Sequence, residues 1–168
     1  MQVRVLPGAD FSLKRQNLMN VTFGCVVLSK EKDRILLVRE KSEKHKQLEK
    51  WNLVSGKADD PDEFIFDKAI LREIQEETGI DVEVKGLIGV YESITPVDRA
   101  VYFVFGCYAK TVEVTISDKA VLDAKFFSFD EFWGISTDEI VHEDMKLVTK
   151  NFIDGKYIDV IRSVKYGG

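Results

Sequence analysis

Three glutamates hold the densest chemistry of this chain: Glu73, Glu76 and Glu77, within Arg72-Glu73-Ile74-Gln75-Glu76-Glu77-Thr78-Gly79-Ile80. On an α-helix, at about 100° per residue, spacings of three and four bring all three carboxylates to one face. Ile70, Leu71 and Ile74 fall on the adjacent apolar stripe, and Ala69 lies among the glutamates, where nothing bulky blocks them. Like charges at these spacings destabilise a helix by about 0.2–0.5 kcal/mol per pair. They also lie toward the C-terminal end, where the helix dipole disfavours negative charge. A helix built for stability would carry lysines there. A hard divalent cation compensates such a cluster: Mg²⁺ takes oxygen ligands and bridges carboxylates to substrate phosphates, and it can activate a water and draw charge from a phosphoryl oxygen. The competing reading is a solvated, charged helix face of the kind common on protein surfaces.

The elements that must position this helix can be read on both sides of it. Val21 to Leu28 is rich in β-branched and aromatic residues and predicts a strand. A polar turn, residues 29–34, leads into a second buried strand, Ile35 to Val38, so the pair predicts a hairpin. Residues 39–50 are almost wholly polar and predict a loop or exposed face, and Trp51 to Val54 a short strand ended by Ser55-Gly56. Asp60-Pro61-Asp62-Glu63 has an N-cap candidate, Pro at the first helical position and Glu three after the cap. Helical spacing runs to Thr78, and Gly79 supplies the stop. Strands follow over Val82 to Ile94, bent or broken near Gly86 and Gly89, then Ala100 to Ala109, Val112 to Ile116 and Ala124 to Phe129. Two helical pieces close the pattern, near Asp130 to Trp133 and near His142 to Phe152. Strands before and after a helix, with more helix at the end, argue for an α/β (α+β) layered domain with a mixed β-sheet. No Pro/Gly/Ser linker divides the chain, so residues 1–168 are expected to form one domain.

Composition bounds the function. With 24 Lys+Arg against 29 Asp+Glu the net charge is -5, which excludes a broad basic surface for nucleic acid but not a nucleotide held through metal ions. Only Cys25 and Cys107 occur, each inside an apolar run, too few for a disulfide framework or a cysteine-rich zinc site; buried free thiols are expected. No apolar stretch approaches the ~20 residues that span a bilayer, and MQVRVLPGADFSLKRQN lacks an apolar signal core. A soluble protein of a reducing compartment, the cytoplasm, without a membrane partner is the expectation.

Residues 56 to 80 resemble the Nudix box, G-x5-E-x7-R-E-U-x-E-E-x-G-U with U a bulky aliphatic residue. Arg72 to Ile80 fits its second half at every defined position, and Gly56-Lys57, after the Trp51-containing strand, resembles its opening. Counting back from Gly79 without gaps puts Ala58 at the box glycine and Phe64 at its first glutamate, and neither fits. A two-residue insertion leaves Gly56 and Glu63 as the equivalents, with Asp62 competing for the acidic position.

The resemblance implies a Nudix-like α/β/α sandwich and hydrolysis of the diphosphate linkage in a nucleoside diphosphate joined to another group, with Mg²⁺ or Mn²⁺ as cofactor. By the same resemblance Glu73, Glu76 and Glu77 are metal ligands, as is the Gly56 carbonyl. One of the glutamates, or an acid from a later loop, activates water, with Glu76 and Glu73 foremost. Arg72 holds a ligand glutamate in place, which suits a guanidinium. Lys57 and Glu63 are candidate substrate contacts, against solvent exposure for Lys57 and an outer ligand or a capping-box role for Glu63. Asp118, Asp130, Glu131, Glu139 and Glu143 are unranked candidates for the late-loop acid. Pro96, sixteen residues after Ile80, resembles a spacing associated with ADP-ribose pyrophosphatases, so ADP-ribose or another nucleotide sugar is a candidate substrate, although an ordinary turn also explains it. Tyr91, Tyr102, Phe103 and Phe105 are candidates for stacking a base, against a place in the core; His45 and His142 are expected in solvent. A nucleotide-binding sensor without turnover and an isopentenyl-diphosphate isomerase-like enzyme remain open as alternatives, the latter disfavoured by cysteines in apolar runs. A homodimer also remains open.

Overall fold

The computed structural model describes residues 20–41, 49–57, 68–94 and 99–158. Within them seven strands and three helices occur: β1 (Asn20–Leu28), β2 (Arg34–Glu40), β3 (Trp51–Asn52), β4 (Val54–Lys57), α1 (Ile70–Thr78), β5 (Val82–Ile94), β6 (Arg99–Ala109), β7 (Val121–Ser128), α2 (Phe129–Gly134) and α3 (Asp144–Ile153). The strands form one mixed sheet in the order β3-β2-β1-β6-β5, with β4 also pairing β1 and β7 also pairing β2.

β1 organises the sheet. It runs parallel to β6 along its whole length, from Asn20↔Ala100 to Leu28↔Tyr108. On its other side it changes partner. Val27 and Leu28 pair antiparallel with β2, while Thr22 to Cys25 pair antiparallel with β4. A strand covered on both faces reads as a continuous apolar run, and every residue from Phe23 to Leu28 except Gly24 belongs to the buried core. The alternation along β1 sorts that core into two layers. Phe23, Cys25 and Val27 pack with Ile70 and Ile74 of α1. Val26 and Leu28 pack with Phe132 of α2 and with Met145, Val148 and Phe152 of α3. The result is the α/β/α sandwich expected from the sequence. Among the described residues no helix is long and apolar enough to cross a membrane.

The β5–β6 ladder shifts register between Val84 and Gly86 and again between Leu87 and Gly89, where bends were expected. Three expectations need correction. Ser55-Gly56 does not end a strand but lies inside β4, which continues to Lys57. Arg39 and Glu40 are not loop but extend β2, paired with Asp123 and Val121 of β7. Val112 to Ile116 is not a strand. Its apolar alternation finds no ladder partner, Val112 and Ile116 are exposed, and only Val114 packs on the core. This segment is instead tied to α1, through Thr115 N–H donating to the Thr78 carbonyl at 2.9 Å. The capping sequence Asp60 to Glu63 lies outside the described residues; within them α1 begins after Ala69, which offers no side-chain cap.

Candidate active site

α1 presents its three glutamates in graded exposure. The Glu76 side chain is 55% exposed, that of Glu73 19%, and Glu77 as a residue only 5%. The gradient follows from the helix rotation. Ile70, Ile74 and Thr78 anchor the buried face, and Glu77 lies one residue from Thr78 at the edge of that stripe. Arg72 lies at the outer edge. Its Nη1 is 3.0 Å from Glu73 Oε1 and 3.0 Å from Glu76 Oε2, so one nitrogen orients two carboxylates, where the sequence reading had a guanidinium holding one.

Two glycines allow the helix to sit where it does. Gly79 stops α1 at φ 67°, with its N–H donating to the Gln75 carbonyl at 2.9 Å. Gly56 lies in β4 directly against Glu73. A Cβ there would stand 2.6 Å from Glu73 Cγ and 2.9 Å from its Oε1, so any side chain at 56 would displace the carboxylate. This contact brings the strand glycine and the helix glutamate together. Lys57 ends β4 exposed to solvent. Glu63 and Asp62 lie outside the described residues.

Glu77 is the electrostatic centre. Burial, followed by the charges of Glu40, Glu73, Asp118 and Glu76, pushes its pKa up from 4.5 to about 9. Its Oε2 is buried without a hydrogen-bond partner, which is costly for a carboxylate. Glu40 is raised as well, first by burial and then by Asp118 and Glu73. Sequence reasoning overlooked Glu40 because it opens a polar run. The signal was the period of two through Leu36, Val38 and Glu40, since Leu36 and Val38 face the α1 layer. Of the late acids, Asp118 joins this field. Glu131 instead serves the capping box of α2 with Ser128, and Glu139 accepts from Ser136 N–H. Asp130 stands exposed in the first turn of α2, and Glu143 precedes α3.

The donor set suits a hard cation: carboxylate oxygens, one of them buried and unpartnered, beside a strand backbone approached at a glycine. Among the described residues no three His, Cys, Asp or Glu side chains already enclose a single ion position.

On the other face of the sheet a cavity of about 250 Å³ opens beneath α3, lined by Asn52, Ser55, Tyr91, Tyr102, His142 and Asp144 among others. β4 joins the two features. Val54 packs in the α1 layer, Ser55 lines the cavity, and Gly56 touches Glu73. The roof is fixed by Val141 N–H donating to the Trp51 carbonyl at 3.0 Å. Tyr102 meets His142 edge-on, with centroids 6.1 Å apart. His142 stands exposed at the cavity rim, where desolvation lowers its pKa and Asp144 opposes the shift. Of the four aromatic candidates, Tyr91 and Tyr102 face the cavity, whereas Phe105 is core and Phe103 packs against it. Pro96 and His45 lie outside the described residues. Cys25 and Cys107 are free, buried thiols, and burial together with Cys107 pushes the Cys25 thiol well above its usual range, which removes the basis for a thiol-dependent isomerase.

A model of the NUDIX domain matches residues 19–152. The chain belongs to the Nudix family of hydrolases. Among curated proteins no relative matches by sequence. Among solved structures, a NUDIX hydrolase from Nitrosomonas europaea is similar with a TM-score of 0.70 and 23% identity, over 89% of this chain and 100% of that one. The MutT protein of Methanosarcina mazei Go1 is similar with a TM-score of 0.66 and 19% identity, over 84% of this chain and 98% of that one. The NUDIX domain of Shewanella oneidensis NrtR, solved with ADP ribose, is similar with a TM-score of 0.67 and 16% identity, over 88% and 94%.

Proposed function

We propose that this chain hydrolyses the diphosphate linkage of a nucleoside diphosphate joined to another group, with Mg²⁺ or Mn²⁺ held by Glu73, Glu76, Glu77 and the Gly56 carbonyl. The observation that carries the proposal is Glu77, a carboxylate buried among other carboxylates with one oxygen unpartnered. When bound, the cation neutralises diphosphate charge and lowers the pKa of a coordinated water. Arg72 fixes the orientation of Glu73 and Glu76. Either of these two carboxylates, both more accessible than Glu77, accepts the proton of the attacking water, and a phosphate-bearing group leaves.

The cavity beneath α3 seats the nucleoside, with Tyr91, Tyr102 and His142 offering ring faces and edges. Ser55 and Gly56 are consecutive, with Cα atoms about 3.8 Å apart, so a ligand in the cavity lies one residue from the strand backbone that touches Glu73. Lys57, exposed next in the strand, is available to a phosphate, and Glu63 is the remaining candidate contact. ADP-ribose or another nucleotide sugar is the favoured substrate, supported by the likeness to the NrtR domain that holds ADP ribose. The free thiols Cys25 and Cys107 fit a cytoplasmic enzyme.

The test is a panel of nucleotide sugars, dinucleotides and nucleoside triphosphates incubated with Mg²⁺, with phosphate-bearing products followed. Turnover of a diphosphate-linked nucleoside, lost in the Glu76→Gln/Glu77→Gln double variant, is the expected result. Tight nucleotide binding without turnover of any panel member would replace the hydrolase by a sensor.

A further inference from the structure

We propose that Gly24 determines what the cavity beneath α3 admits: its bare strand backbone is the floor against which the nucleobase lies, and a side chain at this position excludes the base. The inference rests on the reading above that the cavity seats the nucleoside.

The case begins with a residue that costs stability. Glycine in a strand interior weakens the strand, and it often marks close approach by another backbone or by a ligand. Gly24 lies in the middle of β1, buried and paired on both sides, with Ser55 of β4 and Val104 of β6. Its φ is not positive, so the backbone itself asks for no glycine. Two glycines on the neighbouring strands have a packing reason. A Cβ at Gly106 would stand 2.3 Å from the Phe152 ring, and one at Gly89 would stand 2.4 Å from the Tyr91 ring. At Gly24, chain neighbours apart, a Cβ would meet among the described residues only Val104 Cγ2, at an ordinary contact distance of 3.9 Å. The fold thus leaves room for a side chain that the sequence omits.

The position gives the omission a use. A period of two along β1 puts Gly24 on the face of Val26 and Leu28, which pack in the layer of Met145 and Val148 of α3. Along that face apolar side chains fill the space between sheet and helix, and at Gly24 the space stays open. Gly24, its two partners Ser55 and Val104, and Met145 and Val148 all line the cavity. Its floor is therefore strand backbone flanked by two short side chains, and its roof is apolar, surroundings that suit the flat face of a base.

The experiment measures binding of AMP, GMP, CMP and UMP by calorimetry, with thermal melting and Mn²⁺ binding as controls. These nucleotides carry the base and have no diphosphate linkage to cleave. Gly24→Val is expected to raise the Kd of the nucleotide that wild type binds most tightly by about tenfold or more, and Gly24→Ala by less. Both variants should melt no lower than wild type, because a strand glycine is removed. Both should bind Mn²⁺ as wild type, because α1 packs on the other face of the sheet. An undiminished fold with weakened nucleotide binding is a combination that a purely structural glycine does not produce. If Gly24→Val fails to fold, Gly24→Ala carries the test. Unchanged nucleotide Kd values in the folded variants, or a lowered melting temperature with nucleotide and Mn²⁺ binding lost together, would overturn this proposal and leave the hydrolase reading standing. A wild-type chain that binds none of the four nucleotides would overturn both this proposal and the seating of the nucleoside in the cavity, whereas the turnover panel decides hydrolysis separately.

Discussion

α1 and α3 cover opposite faces of the same sheet and obey opposite rules. α3 opens with Asp144 in its first turn and closes with Lys150 in its last, and Lys150 pairs with Asp154 at 3.1 Å. Both charges complement the helix dipole. α1 has no basic residue in its last turn, carries Glu76 and Glu77 there, and buries one of them unpartnered. Helices of nine and ten residues in one small domain have therefore been shaped by different demands. α3 is arranged for stability and roofs a cavity. α1 lacks that complement at its C-terminal end, an arrangement that suits the cation role proposed for its carboxylates.

The sharpest way to break this contrast is to remove the α1 charges. Glu76→Gln/Glu77→Gln should lower kcat/KM on the accepted substrate by on the order of 10³-fold while leaving the far-ultraviolet circular dichroism of the fold intact. The matching change on α3, Lys150→Ala, should shift stability by no more than about 0.5 kcal/mol, because an exposed i,i+4 pair contributes little. Chemical denaturation of both variants measures this directly. Equal stability losses for the two helices would erase the distinction.

A subtler change acts through the strand. Gly56→Ala places a methyl 2.6 Å from Glu73 Cγ, and the carboxylate must move. Activity should fall by about 10–100-fold, with a stability cost of about 1–3 kcal/mol from overpacking. Kinetics at saturating Mg²⁺ would show whether cation binding or the chemical step carries the loss. Wild-type kcat and KM in the Gly56→Ala variant would separate β4 from the site.

The smallest effect is a slope. Glu77 is raised to about 9 in the fold from its ordinary 4.5, so between these values the native chain holds a proton that the unfolded chain releases. Cation-free stability must then fall as pH rises through that window. Glu77→Gln should flatten the slope in denaturation midpoints measured across it. An unchanged slope would mean that Glu77 ionises normally.

Much of this was legible in residue order. The β1 run, the β5 bends at glycines and the Arg72–Ile80 spacing each state a local rule that the fold keeps. What was hidden depended on pairing. Val112 to Ile116 alternates like a strand, yet its Thr115 N–H meets the end of α1 rather than a ladder. Glu40 looks like one more charge in a polar stretch until β7 extends β2 and turns it toward the α1 layer. Asp118 was one of five equivalent acids until the Thr115 and Ser117 hydrogen bonds docked its neighbours on α1. Local sequence carries periodicity and capping. It does not carry the partner a segment finds across the chain.

The central claim, that the α1 carboxylates exist to bind a cation, is tested most directly by calorimetric titration of Mg²⁺ into the wild-type protein near pH 7 in buffers of different ionisation enthalpy. Since Glu77 is protonated in the cation-free fold at that pH, binding should release about one proton per ion, and Glu77→Gln should abolish the release. Mg²⁺ binding without proton release, or no binding at all, would contradict the account.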